Sequence, residues 1–427
     1  MTWDMKDSGV KWIGDMPASW GLRRSGQLAE QIKQPNDGLV EMNLLSLSYG
    51  RIKRRDINSS EGLIPASYET YNIVEPDDIV LRFTDLQNDQ KSLRVGLVLE
   101  RGIITSAYTT IRPHDPGTAR FLYYALHAYD LKKGFYGMGA GVRQGLKWQE
   151  AKYILLPWPD ATTRARIADY LDAKCTEVDT AISHAEASIS EHELYEQALI
   201  AHTVNSGVNA DAEMVPSGNA FIGSMPNSWP LVRFKHVAFF LNGDRSARYP
   251  SGDDIVSDGI PFVTSAELNG RHLSHTFSKH ITQMKYDSLG GVRLHIDDVV
   301  YRLRGSVGKC ALNVQEDEGT VASSLTVARP KGCNPSWLNY ALASSSTLNQ
   351  AVATAIGATS QNLAANMLAQ AQVPLPNLDE QLLIADYLDS KCAAIDCAIA
   401  QKQSIIDDLK AYKQSLIYEV VTGKKEV

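Results

Sequence analysis

Trp12-Ile-Gly-Asp-Met-Pro-Ala-Ser-Trp20 decides how this chain is read, because it returns 209 residues later as Phe221-Ile-Gly-Ser-Met-Pro-Asn-Ser-Trp229. A second stretch, Ile167-Ala-Asp-Tyr-Leu-Asp-Ala-Lys-Cys175, returns 217 residues later as Ile384-Ala-Asp-Tyr-Leu-Asp-Ser-Lys-Cys392. The ends of each copy match closely and the middles barely match. A repeat on this scale sets the architecture before any local reading. Two related units have kept their frame while their central surfaces diverged, as suits one scaffold that reads two different things.

Between these ends the repeat continues in order. Gly and Pro in the opening segment punctuate a turn that Trp20 or Trp229 can anchor. Asp77-Asp-Ile-Val-Leu-Arg82 and Asp297-Asp-Val-Val-Tyr-Arg302 each read as a turn feeding a strand. Thr105-Ser-Ala-Tyr-Thr-Thr-Ile-Arg-Pro113 and Ala322-Ser-Ser-Leu-Thr-Val-Ala-Arg-Pro330 read as a second strand pair. Leu122-Tyr-Tyr-Ala-Leu126 and Leu338-Asn-Tyr-Ala-Leu342 read as short helices. A Gly-rich loop follows, Gly139-Ala-Gly-Val-Arg-Gln-Gly-Leu146 against Ile356-Gly-Ala-Thr-Ser-Gln-Asn-Leu363. A Pro-x-Pro segment then starts a long helix in each copy.

Those helices carry an apolar seam. Ile167, Leu171, Cys175, Val178, Ile182, Ala185 and Ile189 recur at intervals of four and three, as do Ile384, Leu388, Cys392, Ile395, Ile399, then Lys402, Ile406 and Leu409. This is heptad-type spacing. About 40 residues at 1.5 Å each give roughly 60 Å per helix. Neither stripe can stay in water, so the two helices are expected to bury their stripes against each other, imperfectly where Glu196 and Lys402 interrupt. The predicted fold is mixed α+β (α/β): two globular units with pseudo-twofold symmetry, separated by an antiparallel two-helix coiled coil. The boundaries read as 1–157 for the first unit, 158–205 for the first helix, 206–373 for the second unit and 374–427 for the second helix.

Charge follows the same division. The net formal charge of −7 resolves into +2 over 1–157, −6 over 158–205, 0 over 206–373 and −3 over 374–427. The acid sits on the helical segments, which leaves room for basic faces on the globular units. The start of the chain lacks the layout of a signal peptide, and no apolar run approaches the roughly 20 residues of a membrane span. A cytoplasmic protein without membrane contact is expected. Five cysteines without a CxxC pair do not suggest a disulfide framework or a zinc site. Cys175 and Cys392 read as small buried hydrophobes.

With these motifs in this order and duplicated, the chain resembles the specificity subunit of type I restriction-modification systems. The resemblance rests on Asp7-Ser-Gly-Val-Lys-Trp-Ile-Gly-Asp-Met-Pro-Ala-Ser-Trp20, the two Gly-rich loops, the Pro-x-Pro helix starts and the terminal Leu416-Ile-Tyr-Glu-Val-Val-Thr-Gly-Lys424. It implies two target recognition domains, each reading half of a split site in double-stranded DNA. It implies helices that set the spacing and dock two modification subunits. S-adenosylmethionine would bind to those partners, and ATP and Mg to restriction/translocase subunits, so this chain would hold no cofactor, no metal and no catalytic residue. The alternatives are a stand-alone DNA methyltransferase and a coiled-coil scaffold with two protein-binding heads.

DNA recognition needs phosphate contacts for register and base-edge contacts for sequence. Lys53-Arg54-Arg55, extended by Arg51, is the densest basic run, and it reads either as a solvated loop or as a contact surface. Arg82 and Arg302 recur at equivalent strand ends, which favours structural or phosphate-facing roles. Arg304 and Lys309 flank the turn Gly305-Ser-Val-Gly308. Arg143, Gln144, Ser360, Gln361 and Asn362 have the chemistry that reads guanine and adenine. Gln144 and Gln361 are shared by the two copies, which argues against a sequence-reading role for them. Asn242, Arg245 and Arg248 are candidates in the second unit. For the partner surface the candidates are Asp169, Asp172, Glu177, Asp179, Asp386, Asp389 and Asp396, which alternatively form plain solvated helix faces. Three motifs read as decoys: Gly137-Met-Gly-Ala-Gly141 for a cofactor loop, Asn334-Pro-Ser-Trp337 for an adenine-methylation motif, and His272, His275 and His280 for a metal cluster.

Overall fold

Each copy of the opening repeat folds as a small antiparallel hairpin. Met5–Asp7 pairs with Asp15–Pro17, and Met214–Pro216 pairs with Ser224–Pro226. Trp20 and Trp229 lie just beyond, 3% and 5% exposed, and seat each hairpin on its own core. The computed structural model describes the chain except for residues 1–3, 60–64, 66, 87–92, 139–144, 245, 247, 317 and 355–362. It divides into one unit formed by Met1–Glu186 with Gln403–Val427, and a second formed by Ala187–Lys402.

The first unit is built on a four-stranded antiparallel sheet in the order Ala29–Ile32, Thr109–Pro113, Ile79–Leu81, Val95–Leu97. The second repeats that order with Ala238–Asn242, Leu325–Pro330, Val299–Arg302 and Cys310–Leu312. The Ile-Val-Leu and Val-Val-Tyr runs are apolar without a break because both faces of the sheet are covered. Side chains alternate along a strand. Ile79 and Leu81 face the main core, while Val80 faces a smaller cluster with Leu45, Leu47, Val74 and Ile104. Val299 and Tyr301 likewise face the main core of the second unit, while Val300 joins Val263, Leu273 and Val327 behind it.

The Asp-Asp turns explain themselves here. Asp77 and Asp297 adopt left-handed backbone, with φ of 73° and 69°. The second aspartate of each turn is wholly buried. Asp78 accepts two hydrogen bonds from Arg112 at 2.7 and 2.8 Å and a third from the Glu75 amide at 2.9 Å. Asp298 accepts two from Arg329, both at 2.8 Å, and one from the His295 amide at 2.8 Å. The Asp-Asp and Arg-Pro repeats, which the sequence presents as separate strand motifs, are thus the two ends of one ion pair, with the carboxylate buried and the arginine half-buried.

The first long helix runs Ala161–Ser206 and the second Leu378–Val421. In the first unit Ile167, Leu171 and Cys175 share a core with Leu416, Ile417, Val420 and Val421. In the second unit Ile200 and Val204 share a core with Ile384, Leu388 and Cys392. The start of one helix therefore meets the end of the other in each unit, the antiparallel sense that the seam requires. Midway the seam is looser: Ile182, Ala185, Ile189, Ile399 and Leu409 are only half-buried.

Both helices stop in the same way. Gly207 and Gly423 take φ of 77° and 74°, the left-handed end that glycine tolerates best. A Cβ on Gly423 would stand 2.3 Å from Pro17 and 3.1 Å from Trp20, and one on Gly207 would stand 3.0 Å from Trp229. The helix end is thus packed directly under the Trp hairpin in each unit. Among the described residues, no helix is long and apolar enough to cross a membrane.

Replacing Asp298 with Ala strands the Arg329 guanidinium and the His295 amide. It should cost about 2–3 kcal/mol, given that breaking a buried pair leaves an uncompensated charge and that Arg329 retains some water. Urea unfolding should show a lower midpoint, and the Asp298→Ala/Arg329→Met double variant should lose less than the two single variants added together.

Candidate nucleic-acid interface

The basic run of the first unit sits on a hairpin. Leu45–Ser48 pairs with Arg51–Arg54 through Tyr49 and Gly50, both at positive φ, 46° and 78°. Two left-handed residues match the twist of a tight hairpin. Leu45 and Leu47 bury one face of the hairpin, while Arg51 and Lys53 stand opposite Ser48 and Ser46 on the other. Arg54 folds back onto Glu100, its Nε at 2.7 and 2.8 Å from the two carboxylate oxygens. This pairing holds Glu100 below its ordinary range. Lys53 and Arg55 are exposed. Beside them lies a groove of about 370 Å³ lined by Arg54, Arg55, Tyr68, Tyr71 and Tyr108 among others. Cations alternating with aromatic rings can take up a phosphate chain or stack a planar base.

Arg82 and Arg302 end their equivalent strands half-buried. A buried arginine that the sequence reading missed, Arg94, braces the first: its guanidinium donates to the carbonyls of Arg82, Thr84 and Asp85 at 3.2, 2.8 and 3.2 Å. Arg302 instead turns its Nε onto the Arg304 carbonyl at 2.9 Å, closing the turn on which Arg304 and Lys309 are exposed. The residue after each strand end holds the exit of the Gly-rich loop. Leu146 donates to the Phe83 carbonyl at 3.0 Å and Leu363 to the Leu303 carbonyl at 2.8 Å. The loop candidates Arg143, Gln144, Ser360, Gln361 and Asn362, and also Arg245, lie outside the described residues.

In the second unit Asn242 is exposed at the end of its strand. Arg248 lies 3.9 Å from Asp244. Hydrogen bonds from Ser246 and the Gly290 amide pull Asp244 down to about 2. The carboxylate closes this loop and leaves Arg248 exposed.

Most of the acids on the helices already hold groups of their own unit. Arg120 reaches Asp169 at 2.8 Å and Asp172 at 2.7 Å. The Tyr124 hydroxyl donates to Asp172 at 2.7 Å, and the equivalent Tyr340 hydroxyl to Asp389 at 2.6 Å. Burial first of all pushes both hydroxyls well above their ordinary range. Glu177 pairs with Lys174 on its own helix at 2.6 Å. Asp179 pairs with Lys413 and Arg51, and Asp396 with Arg271. Asp386 is exposed, in a stretch where Leu378, Leu382, Leu383 and Tyr387 are also exposed. A cavity of about 340 Å³ beside it is lined by Trp229, Glu380, Leu383 and Asn209 among others.

One of the decoys has a structural role. Asn334 accepts from the Trp337 amide at 2.9 Å and so caps the helix Pro335–Ala343. Among the described residues, no group of three or more His, Cys, Asp or Glu side chains is placed to hold a metal.

Comparison with known proteins bears on the same frame. Residues 227–405 match the family model described as the type I restriction modification DNA specificity domain. The chain is similar to the specificity subunits of type I restriction-modification systems. It is 21% identical over 206 residues to the type I restriction enzyme StySPI specificity subunit of Salmonella potsdam, with 47% of this chain and 44% of that one aligned. It is 24% identical over 215 residues to the EcoBI specificity subunit of Escherichia coli, with 47% and 40% aligned. The chain thus spans less than half the length of the curated relatives it matches. A solved structure described as showing complex assembly and conformational transition of the type I R-M system has the same fold. It matches with a TM-score of 0.67 at 17% identity, over 96% of this chain and 99% of that one.

The thiols offer a check on the packing around this frame. Burial pushes Cys310 and Cys392 up to about 12 and Cys333 up to about 11, and it also raises Cys175. Cys397 is exposed. A thiol reagent at pH 8 should modify one cysteine of the native chain quickly, because the thiolate is the reactive form. The fast phase should vanish in Cys397→Ser, and the other four should react only on unfolding.

Proposed function

We propose that the chain is the DNA-recognition subunit of a type I restriction-modification complex. The observation that carries this reading is the duplicated frame with different additions. The same sheet, buried ion pair and helix end occur twice. The first unit adds the basic hairpin of Leu45–Ser48 and Arg51–Arg54, whereas the second adds a sheet of Ile255–Val256, His280–Ile281, Ile260–Val263 and Thr320–Val321. One frame with two different reading surfaces suits a bipartite, asymmetric site in duplex DNA.

In this reading the domains of 1–157 and 206–373 each meet one half-site. Lys53, Arg54, Arg55, Arg82, Arg143 and Gln144 would face the first, whereas Arg51, a candidate from the same basic run, is turned onto Asp179 of the helix. Asn242, Arg245, Arg248, Arg302, Arg304, Lys309, Ser360, Gln361 and Asn362 would face the second. Lys53 and Arg55, whose charges are exposed, are the best phosphate contacts, while Arg54 is partly spent on Glu100. The helices of 158–205 and 374–427 set the gap between half-sites and dock two modification subunits. The exposed apolar face of Leu378, Leu382, Leu383 and Tyr387 with Asp386 is the best partner surface. Asp169, Asp172, Asp179, Asp389 and Asp396 would serve mainly to seat the reading units on the helices, while Glu177, paired only along its own helix, stays available to a partner. Methylation would be performed by the modification subunits with S-adenosylmethionine, and ATP-dependent cleavage by restriction subunits.

Mapping methylated adenine in cells with and without this chain tests the reading directly. A bipartite motif that disappears with the chain is expected. Methyl transfer by the purified chain alone would instead make it a stand-alone methyltransferase, and no DNA affinity in the assembled complex would leave a protein scaffold. Arg143→Ala and Lys53→Ala should both weaken binding to the first half-site only. Lys53→Ala should also lower the salt dependence by about one unit, since one phosphate contact is lost. Equal loss for duplexes mutated in either half would contradict both. Inserting one heptad into the helix that starts at Leu378 should lengthen the tolerated gap or abolish binding, read from affinities for duplexes of varied gap.

A further inference from the structure

The two helices carry one charged position in each unit that ties them both to the divergent insertion. In the first unit Asp179 of the first helix accepts from Lys413 of the second at 2.7 and 2.9 Å and also pairs with Arg51 of the basic hairpin. In the second unit Arg271 pairs with Glu196 of the first helix at 2.8 Å and with Asp396 of the second. Asp179 and Asp396 are 217 residues apart, as are Glu196 and Lys413, the same spacing as the helix repeat. The two sites are therefore equivalent positions of the frame. Their third charge is inverted: one anion between two cations in the first unit, one cation between two anions in the second.

The arginines themselves come from unrelated places. Arg51 opens a hairpin strand, whereas Arg271 sits in a loop whose carbonyl accepts from the Leu312 amide at 2.9 Å and from Asn339 at 3.0 Å. Two insertions with different folds each send an arginine to the same aspartate of the frame. Partly exposed ion pairs add little to stability, so a merely stabilising role gives no reason for that coincidence. A rigid group bridging three elements does fix their mutual orientation, and guanidinium forks suit this because they hold carboxylates in a set geometry.

We propose that Arg51 and Arg271 are positioning residues: each locks the divergent segment of its unit to both helices, and Arg51 acts through Asp179 and Lys413 rather than by touching DNA. The consequence for recognition, a fixed angle of each reading surface on the helical ruler, rests on the function proposed above.

Hydrogen exchange on the full chain tests the lock without DNA. Arg51→Ala should raise exchange in residues 45–54 by about tenfold or more and leave 268–273 unchanged, and Arg271→Ala should do the reverse, as expected for local opening. The second arm uses the complex with its modification subunits and duplexes carrying the selected site with the gap changed by one base pair. Arg51→Ala should narrow the preference for the correct gap by about tenfold while its salt dependence stays that of the parent, because no phosphate contact is lost. Arg51→Asp/Asp179→Arg/Lys413→Glu inverts all three charges, keeps each pair opposite as in the second unit, and should restore both readouts. Unchanged exchange in residues 45–54 overturns the lock. A salt dependence lower by about one unit, not recovered in the swapped variant, would make Arg51 a phosphate contact instead. If the parent complex binds no duplex with a preferred gap, the recognition reading fails, and the exchange arm still decides the lock.

Discussion

A buried carboxylate stands at the centre of each half of this chain. Asp78 and Asp298 are fully enclosed, and neither could remain charged there alone. Each is made tolerable by a two-pronged arginine from the neighbouring strand and by a backbone amide from its own turn. The pair therefore fixes the register of two central strands and the shape of the turn that leads into one of them. Everything that each unit displays, from the strand end at Arg82 or Arg302 to the loop exit at Leu146 or Leu363, is placed relative to that register.

The second constraint is how the helices finish. Gly423 lies against Trp20, and Gly207 lies against Trp229. The end of the first helix is thus seated by the opening hairpin of the second copy, and the end of the second helix by that of the first. Any side chain at those glycines would meet both an unfavourable backbone angle and a tryptophan or proline already in place. The recurrence of tryptophan and of glycine at opposite ends of a copy is one packing requirement seen from two sides.

Much of the frame was legible because it is local. Period-two burial, four-and-three helix spacing and Gly/Pro punctuation leave their marks within a few residues, and duplication lets each mark be checked against its partner. The Asp78–Arg112 pair was not read, although both of its residues lie in quoted repeats, because pairing depends on strand order and no local rule supplies it. Arg94 was missed for a related reason: a lone arginine in a diverged segment carries no signal that it will be buried under three carbonyls. The acids of the helices were read as a partner face or plain solvated charge. In the fold most of them hold Arg120, Tyr124, Tyr340, Arg51, Arg271 or Lys413. Their partners lie far away in sequence, in segments without periodicity.

Duplication also sorts residues by the kind of constraint they obey. A group that recurs at the same frame position with the same partner, such as Asp172 under Tyr124 and Asp389 under Tyr340, answers to packing common to both units. A group that recurs while its partner changes, such as Asp179 and Asp396, marks where the frame meets something allowed to vary. The insertions differ in fold, yet each must hold still on the helices if a surface built on it is to discriminate one ligand from another, since loose attachment spreads binding over many poses. Fixed acids on the helices with arginines supplied from the insertions meet both demands at once. The aspartate of the helix stays constant, and a new insertion needs to bring one cation to a position that already exists.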